Sequence, residues 1–192
     1  MNIISARNGV YTENGLINCL VHFEGFDDFI PFTASPDDTE EHGRQLYADL
    51  KAGKYGPVIP FTVTPEMIQS AKDAKHAEIN VWRDAQENGN ILFTLNDHKW
   101  DCGKASQTRL APVVAVAKSG ALPPDFFWTD ADNIDVPMTA DELTALEAAM
   151  QQNMVLQGFR IHERQRQMKE DVDKLTDYKA IQNYVVGWPK GS

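Results

Sequence analysis

The hydrophobic and polar positions of the middle of the chain alternate in two pairs of short segments. One pair spans residues 91–95 and 99–102, with Asn96-Asp97 as the turn between them. The second pair spans residues 126–130 and 134–138. Alternation with a period of two is typical of β-strands, so the pattern predicts two β-hairpins.

Apolar residues spaced three and four apart predict helices around these hairpins. Residues 104–118 form the first, and a much longer one begins at the capping box Thr139-Ala140-Asp141-Glu142. The stripe of the long helix runs for about 35 residues, well above the ordinary helix of about 11–12. Its members are Leu143, Leu146, Met150, Met154, Gln157, Ile161, Arg164, Met168, Val172 and Leu175. Such a length is typical of a coiled coil or of a helix that leaves the globule, and a short last helix is predicted over residues 177–186.

The first part of the chain has a different pattern, which is that of a small β-rich unit with one helix. Strands are predicted at residues 3–6, 16–24 and 29–33. In the second strand the more apolar face should lie toward the core; it consists of Ile17, Cys19, Val21 and Phe23. Ser35 as N-cap and Pro36 at the first helical position then predict the start of a helix.

A proline-containing extended segment follows this helix and is expected to be an edge strand or a linker. Another helix is predicted from Thr64 to Gly89. We therefore place a domain boundary near Val63. The predicted fold class is α+β, with an N-terminal β-rich unit at residues 1–63 and a helix-hairpin-helix-hairpin-long helix domain at residues 64–192.

Charge and composition exclude several function classes. The 192 residues carry a formal net charge of −10, which disfavours nucleic acids and anionic membranes as partners. No apolar run approaches the length of about 18 residues that a membrane-spanning helix needs. The chain has only two cysteines and begins without a signal-peptide pattern, so we expect a location in the cytoplasm.

Sequence motifs for catalysis, phosphate binding or dinucleotide binding are absent from the chain. The pairs His98 with Cys102 and Cys19 with His22 lack the further ligands that a metal site needs. We expect no enzymatic activity, no catalytic residues, no cofactor and no metal. The four tryptophans leave a carbohydrate-stacking platform as an alternative to ordinary core packing.

The long helix offers the clearest candidate for partner binding. It packs over its own hairpins, or it engages another chain through Met150, Met154, Ile161 and Met168, including a second copy of itself. Trp188 lies near an exposed end, where a tryptophan often anchors a partner surface. These five residues are the predicted partner-binding set.

Several segments resemble proteins from the tail region of tailed bacteriophages. From about Lys75 to Leu175 the chain resembles a domain of unknown function found in small tail-region proteins of these phages. The segments that carry this likeness are HAEINVWRD at residues 76–84, the strand pair around Phe93 and Trp100, Phe127-Trp128 with ADN at residues 131–133, VPMT at residues 136–139, and the helix that follows.

Both ends of the chain add to the resemblance. The segments at residues 25–32, FTASPDDTE at residues 32–40 and GKYGP at residues 53–57 look like the leader of the same phage proteins. YVVGWP at residues 184–189 is similar to the ending of tail-fibre assembly chaperones, which finish in a helix followed by Trp-Pro.

The resemblance implies a non-enzymatic protein that binds a tail fibre or tailspike and mediates its assembly or attachment. Such a protein acts in the host cytoplasm during assembly or stays in the virion tail. The middle of the chain differs from the usual chaperone body, which leaves a permanent structural component of the tail or baseplate open. A carbohydrate-binding or hydrolytic accessory acting on the host surface is a further alternative, as is an ordinary cytoplasmic regulator.

Overall fold

The chain is α+β, as its pattern predicts. A computed structural model describes residues 2–191, and contacts between residues divide it into two compact units. The first unit ends at Thr64 and the second begins at Pro65. The boundary expected near Val63 lies next to this division.

The first unit is a three-stranded antiparallel sheet with one helix. Its elements are β1 (Ile3–Tyr11), β2 (Ile17–Phe23), β3 (Ile30–Ala34) and α1 (Glu41–Lys51), with β2 at the centre of the sheet. The face of β2 expected in the core is buried: Ile17, Cys19, Val21 and Phe23 are each at most 5% exposed. They pack with Leu46 and Leu50 of α1, because only one face of the strand and one stripe of the helix are apolar.

The extended segment after α1 pairs with the edge of this sheet. Ile59 bonds to β1 through Tyr11 N–H, which donates to its carbonyl at 2.9 Å, and through its own N–H, which donates to Gly9 O at 2.9 Å. The edge-strand expectation for this segment is therefore confirmed at Ile59.

The predicted start of the first helix is wrong by several residues. Ser35 accepts a bond from Asp37 N–H, and Asp38 accepts one from Glu40 N–H, so both side chains close local turns. Helix α1 begins later, at Glu41. Serine and aspartate side chains stabilise turns and helix starts through the same kind of bond, and here the turns use them.

The described part of the second unit contains four helices and two small hairpins. In chain order they are α2 (Pro65–Glu87), β4 (Ile91–Leu95), β5 (His98–Cys102), α3 (Lys104–Lys118), β6 (Phe127–Thr129), β7 (Asp135–Pro137), α4 (Ala140–Lys174) and α5 (Tyr178–Gln182). Both predicted hairpins are present, with Phe93 opposite Trp100 and Trp128 opposite Val136. Asn96 and Asp97 form the first turn with positive φ angles of 52° and 63°, as a tight hairpin turn requires.

Helix α4 starts at the predicted capping box. Glu142 N–H donates to the Thr139 hydroxyl, and Thr139 N–H donates back to the Glu142 carboxylate at 2.8 Å. The helix then runs for 35 residues and continues through Gly158. The length expected from the apolar stripe is thus confirmed.

Two separate core clusters lie along α4. Its N-terminal half contributes Leu143, Leu146 and Met150 to a cluster with the first hairpin and α3. Its C-terminal half contributes Met168 and Val172 to a second cluster with α2 and α5. Both clusters therefore depend on this one helix.

Polar residues in and beside the stripe of α4 bind partners within the second unit. The buried Gln165 donates to Asn80 Oδ1 of α2 at 3.0 Å, and Arg164 donates to Gly187 O at 2.7 Å. A buried polar group needs such a partner to offset its desolvation. These bonds explain how a helix with an imperfect apolar stripe still packs against its neighbours.

Candidate functional site

Three residues predicted to bind a partner lie inside the chain's own core. Met150, Ile161 and Met168 are 2%, 1% and 0% exposed. Met150 packs in the cluster around the first hairpin, and Met168 packs against α2 and α5. Their apolar side chains already have neighbours, so the proposal that they form a partner surface is corrected. Met154 is half-buried at the edge of the first cluster.

Trp188 is the one member of the predicted set with substantial exposure, at 38%. Its ring meets Trp82 of α2 edge-on, with the ring centroids 5.2 Å apart. Its indole N–H donates to Gln86 Oε1 at 2.9 Å. The segment after α5 is therefore attached to α2, and part of the indole stays open to solvent.

A different face of α4 exposes large apolar side chains. Val155, Leu156 and Phe159 are 72%, 52% and 61% exposed. Phe159 is four residues after Val155 and three after Leu156, so its side chain neighbours both of the others on one side of the helix. Contiguous apolar surface of this kind is typical of an interaction site. We call these three residues the α4 patch.

Basic residues follow the α4 patch along the helix. Between Arg160 and Lys169 there are four cations, Arg160, Arg164, Arg166 and Lys169, and one carboxylate, Glu163. Arg166 lies on the face of the patch, two turns after Phe159, is exposed, and pairs with Glu170 at 3.9 Å. Glu163, one turn after Phe159, lies on the same face, so groups of both charges border the patch.

A second feature is a cavity of about 440 Å³ between β5, α3 and the second hairpin. Its lining combines four aromatic residues, Trp100, Phe126, Phe127 and Trp128, with six polar ones, Asp101, Ser106, Arg109, Thr129, Asp130 and Asn133. Trp100 is buried, and its indole N–H donates to Leu95 O at 3.1 Å, which fixes the ring. The volume lies in the range typical of small-ligand sites. We call it the aromatic cavity.

Arg109 of α3 supplies a cation to the aromatic cavity. Its Nη2 donates to the Ser106 hydroxyl at a long 3.4 Å. Within residues 2–191 no carboxylate lies within ion-pair distance of this guanidinium, whereas Arg83 of α2 is paired with Glu87 at 2.9 Å. Arg109 therefore has hydrogen-bonding capacity left for a ligand.

The two carboxylates of the aromatic cavity already have partners. Asp101 accepts from Asn90 Nδ2 at 2.6 Å. Asp130 is 5% exposed and accepts from His98 Nδ1 at 2.8 Å with Oδ2, while its Oδ1 accepts from the N–H groups of Asp132 and Ile134 at 2.9 Å. These bonds favour the ionised carboxylate, so the side-chain bond from His98 first, and the backbone bonds after it, lower the pKa of Asp130.

The pair of His98 and Asp130 joins the two hairpins of the second unit. His98 stands at the start of β5 and Asp130 in the turn after β6. Beside this pair, Ala131 N–H donates to Lys99 O at 2.8 Å, which adds a backbone bond between the same segments. All the contacts of Asp130 thus hold the second hairpin in place, which is a structural role for the pair.

Replacing Asp130 by asparagine is expected to lower the thermal midpoint at neutral pH. The pKa of Asp130 is lower in the folded chain than its ordinary 3.8, so its stabilisation is complete above that value and is lost as pH falls through the folded pKa. The deficit of Asp130→Asn should therefore shrink when melting is followed by circular dichroism from about pH 7 down to about pH 3. Asp132→Asn, at an exposed position of the same turn, is the control. A deficit of Asp130→Asn that is constant with pH would contradict this account.

The thiols lie apart from both features. Cys19 and Cys102 are buried and unpaired, and burial raises the pKa of each thiol, which keeps it in the unreactive protonated form. Within the part of the chain that the structure describes, no three His, Cys, Asp or Glu side chains are grouped so that they could hold a metal ion. None of the helices within residues 2–191 combines the length and apolar character needed to cross a membrane.

Comparison with known proteins gives one match. Residues 70–186, more than half of the chain, match a domain of unknown function, DUF4376. The chain belongs to this family. The matched region begins in α2, and it contains both hairpins, the aromatic cavity and the α4 patch. No curated protein matches the chain, and no solved structure does.

Proposed function

We propose that this chain is a non-enzymatic protein of a bacteriophage tail. It binds a tail fibre or tailspike polypeptide and mediates its assembly or attachment, either in the host cytoplasm or as part of the virion tail. The phage setting is supported by the resemblance of residues 75–175 and of both chain ends to small tail-region proteins. Binding as the activity is supported by the α4 patch.

The α4 patch carries the proposal because it groups three large, exposed apolar side chains on one side of a helix, and contiguous patches of this kind mark interaction sites. Val155, Leu156 and Phe159 are each more than half exposed, whereas Met150, Ile161 and Met168 on the other side of the same helix are at most 2% exposed. Apolar burial is the main favourable term in most protein association, and an aromatic residue such as Phe159 is a typical anchor. The partner that fits is a polypeptide surface with apolar residues.

A charged substitution in the α4 patch tests this proposal. The chain carrying Phe159→Asp is co-expressed with the fibre or tailspike polypeptide of the same phage, and the amount of that polypeptide that co-purifies is measured. We expect a reduction of at least about tenfold, because an unpaired carboxylate would be buried in the apolar contact. Val81→Asp, which places the same charge at an exposed position 69% accessible on α2, is the matched control and should not reduce co-purification.

Two further measurements complete this experiment. Sedimentation of both variants reports whether a second copy of the chain covers the patch; a dimer lost in Phe159→Asp with unchanged fibre binding would overturn the proposal.

Mass spectrometry of purified virions separates the two forms of the function. A fixed copy number in the virion indicates a tail component, and absence together with loss of fibres on deletion of the gene indicates an assembly chaperone.

A further inference from the structure

We propose that the aromatic cavity is a binding site for a carboxylate that is attached to an apolar body. This site is separate from the α4 patch, since none of the three patch residues lines the cavity. The inference does not depend on the phage function, because it follows from the groups around the cavity alone.

The cation of the cavity determines the charge of the ligand. Arg109 projects a planar guanidinium with five N–H donors, of which one makes a single long bond to Ser106. Ser106 is 6% exposed, and within residues 2–191 its hydroxyl accepts that bond and donates none. Apart from that one bond, no protein acceptor within residues 2–191 binds the exposed guanidinium, so its remaining donors are open to a ligand. An anion with two oxygen atoms matches the fork of a guanidinium.

The walls of the cavity determine the rest of the ligand. The half-buried rings of Phe126 and Trp128 form apolar surfaces that gain free energy when an aliphatic or aromatic group replaces water against them, and the buried Trp100 lies behind them. The carboxylates of Asp101 and Asp130 line the same cavity. A doubly charged phosphate would be repelled by them more strongly than a carboxylate with one charge. The ligand that fits both constraints is therefore a monocarboxylate beside an apolar group.

Two sources in proteins and metabolites supply this chemistry. One is a polypeptide, either at a C-terminus with an apolar last residue or at an acidic side chain within an apolar segment. The other is a free small carboxylate. Both would place the charge on Arg109 and the apolar group against the tryptophans.

Titration of the intact chain with small probes tests the site. 3-Phenylpropionate is added while the tryptophan fluorescence is recorded, and binding is confirmed by calorimetry. 3-Phenylpropionamide has the same body without the charge, and phenyl phosphate has a higher charge. We expect the carboxylate to bind at least about tenfold more tightly than either, because the charged hydrogen bonds to the guanidinium are lost or opposed in the other two.

Variants of Arg109 identify the residue responsible. Arg109→Gln should lower the affinity for 3-phenylpropionate at least about tenfold. Arg109→Lys should give an intermediate affinity, because it keeps the charge and loses the forked geometry. Arg83→Gln, which removes a paired arginine of α2 outside the cavity, should leave the affinity unchanged. Since Arg109 is exposed on its helix, the thermal midpoints of these variants should match that of the parent chain. Matching midpoints exclude unfolding as the cause of a lower affinity.

Peptide probes separate the sources. Acetyl-Ala-Ala-Phe with a free carboxylate represents a polypeptide C-terminus, its C-terminal amide lacks the charge, and acetyl-Ala-Glu-Phe-amide carries an internal acid. Tighter binding of either charged peptide than of 3-phenylpropionate indicates a polypeptide ligand, and the reverse indicates a free carboxylate.

Several results would overturn the inference. They are absence of binding by every carboxylate at millimolar concentration, equal binding of acid and amide, an affinity unaffected by Arg109→Gln, and binding of neutral sugars in preference to carboxylates. Failure of this site is distinguishable from failure of the proposed function. Phe159→Asp leaves the cavity lining intact, and Arg109→Gln leaves the α4 patch intact.

Discussion

Truncation of the chain before Asp141 is expected to abolish folding of the second unit. Residues 141–172 of α4 supply Leu143, Leu146 and Met150 to one core cluster and Met168 and Val172 to the other. Each such side chain contributes about 1.5–3 kcal/mol by its burial, so their joint loss approaches or exceeds the whole stability of a domain, about 5–15 kcal/mol. We expect this unit to lose its cooperative urea transition. The transition is measured by tryptophan fluorescence.

The matched control for this truncation is removal of residues 190–192 alone, which should leave the transition in place. A shortened chain that ends at Ala140 and still unfolds cooperatively at the original urea concentration would contradict the role given to α4. The truncation therefore cannot locate a partner surface, because loss of binding would follow from loss of the fold.

The second large effect is expected at Met168. Replacing it by alanine should reduce the free energy of unfolding by about 2–5 kcal/mol, the range for large-to-small substitutions at buried positions. Met168 is fully buried beside Ile79, Val172 and Ile181, and its Sδ also accepts a bond from Gly187 N–H at 3.3 Å. Urea denaturation at equilibrium measures the change.

Val155→Ala is the control for Met168→Ala, on the same helix and on its exposed side. Its effect should stay within about 0.5 kcal/mol, as for other surface substitutions. Equal losses at the two positions would contradict the assignment of Met168 to the core and Val155 to the surface. The comparison also measures how far the two sides of α4 differ in their contribution to the free energy of unfolding.

The sequence predicted those elements whose signals are local. The alternation of Ile17, Cys19, Val21 and Phe23 identifies the buried face of β2, since the period of a strand leaves no other choice once one face is apolar. The capping box at Thr139 gives the start of α4, because its two bonds are made within four residues. Where a local signal serves two structures, as at Ser35, the prediction was wrong.

The exposed face of α4 was missed for a physical reason. Between Met154 and Ile161 the apolar residues lie on several sides of the helix, so spacing alone cannot say which of them face the core. A signal was present all the same: Val155, Leu156 and Phe159 fall outside the stripe that continues from Leu146 to Met168. Apolar residues left over by a stripe that already fills the core are candidates for a surface.

The sequence alone could not predict the aromatic cavity. Trp100, Arg109 and Trp128 belong to β5, α3 and β6, and only the packing of the second hairpin brings them together. Arg109 has no neighbours in sequence that mark it. Its place in the lining of the cavity, with a single long bond to Ser106, exists only in three dimensions.

The two sides of α4 thus differ in their surroundings. The buried side of α4 connects two core clusters, and the exposed side presents Val155, Leu156 and Phe159. This division allows substitutions on the exposed side that leave the two core clusters intact. It also makes the proposed function testable at single positions.

The most direct test places a photoreactive benzoylphenylalanine at position 159 and, in a separate chain, at position 81. Both chains are irradiated in cells that produce the phage, and the cross-linked products are identified by mass spectrometry. The account predicts a product with the fibre or tailspike polypeptide at position 159 and none at position 81. Products with that polypeptide at both positions, or with a second copy of the chain alone at position 159, would contradict it.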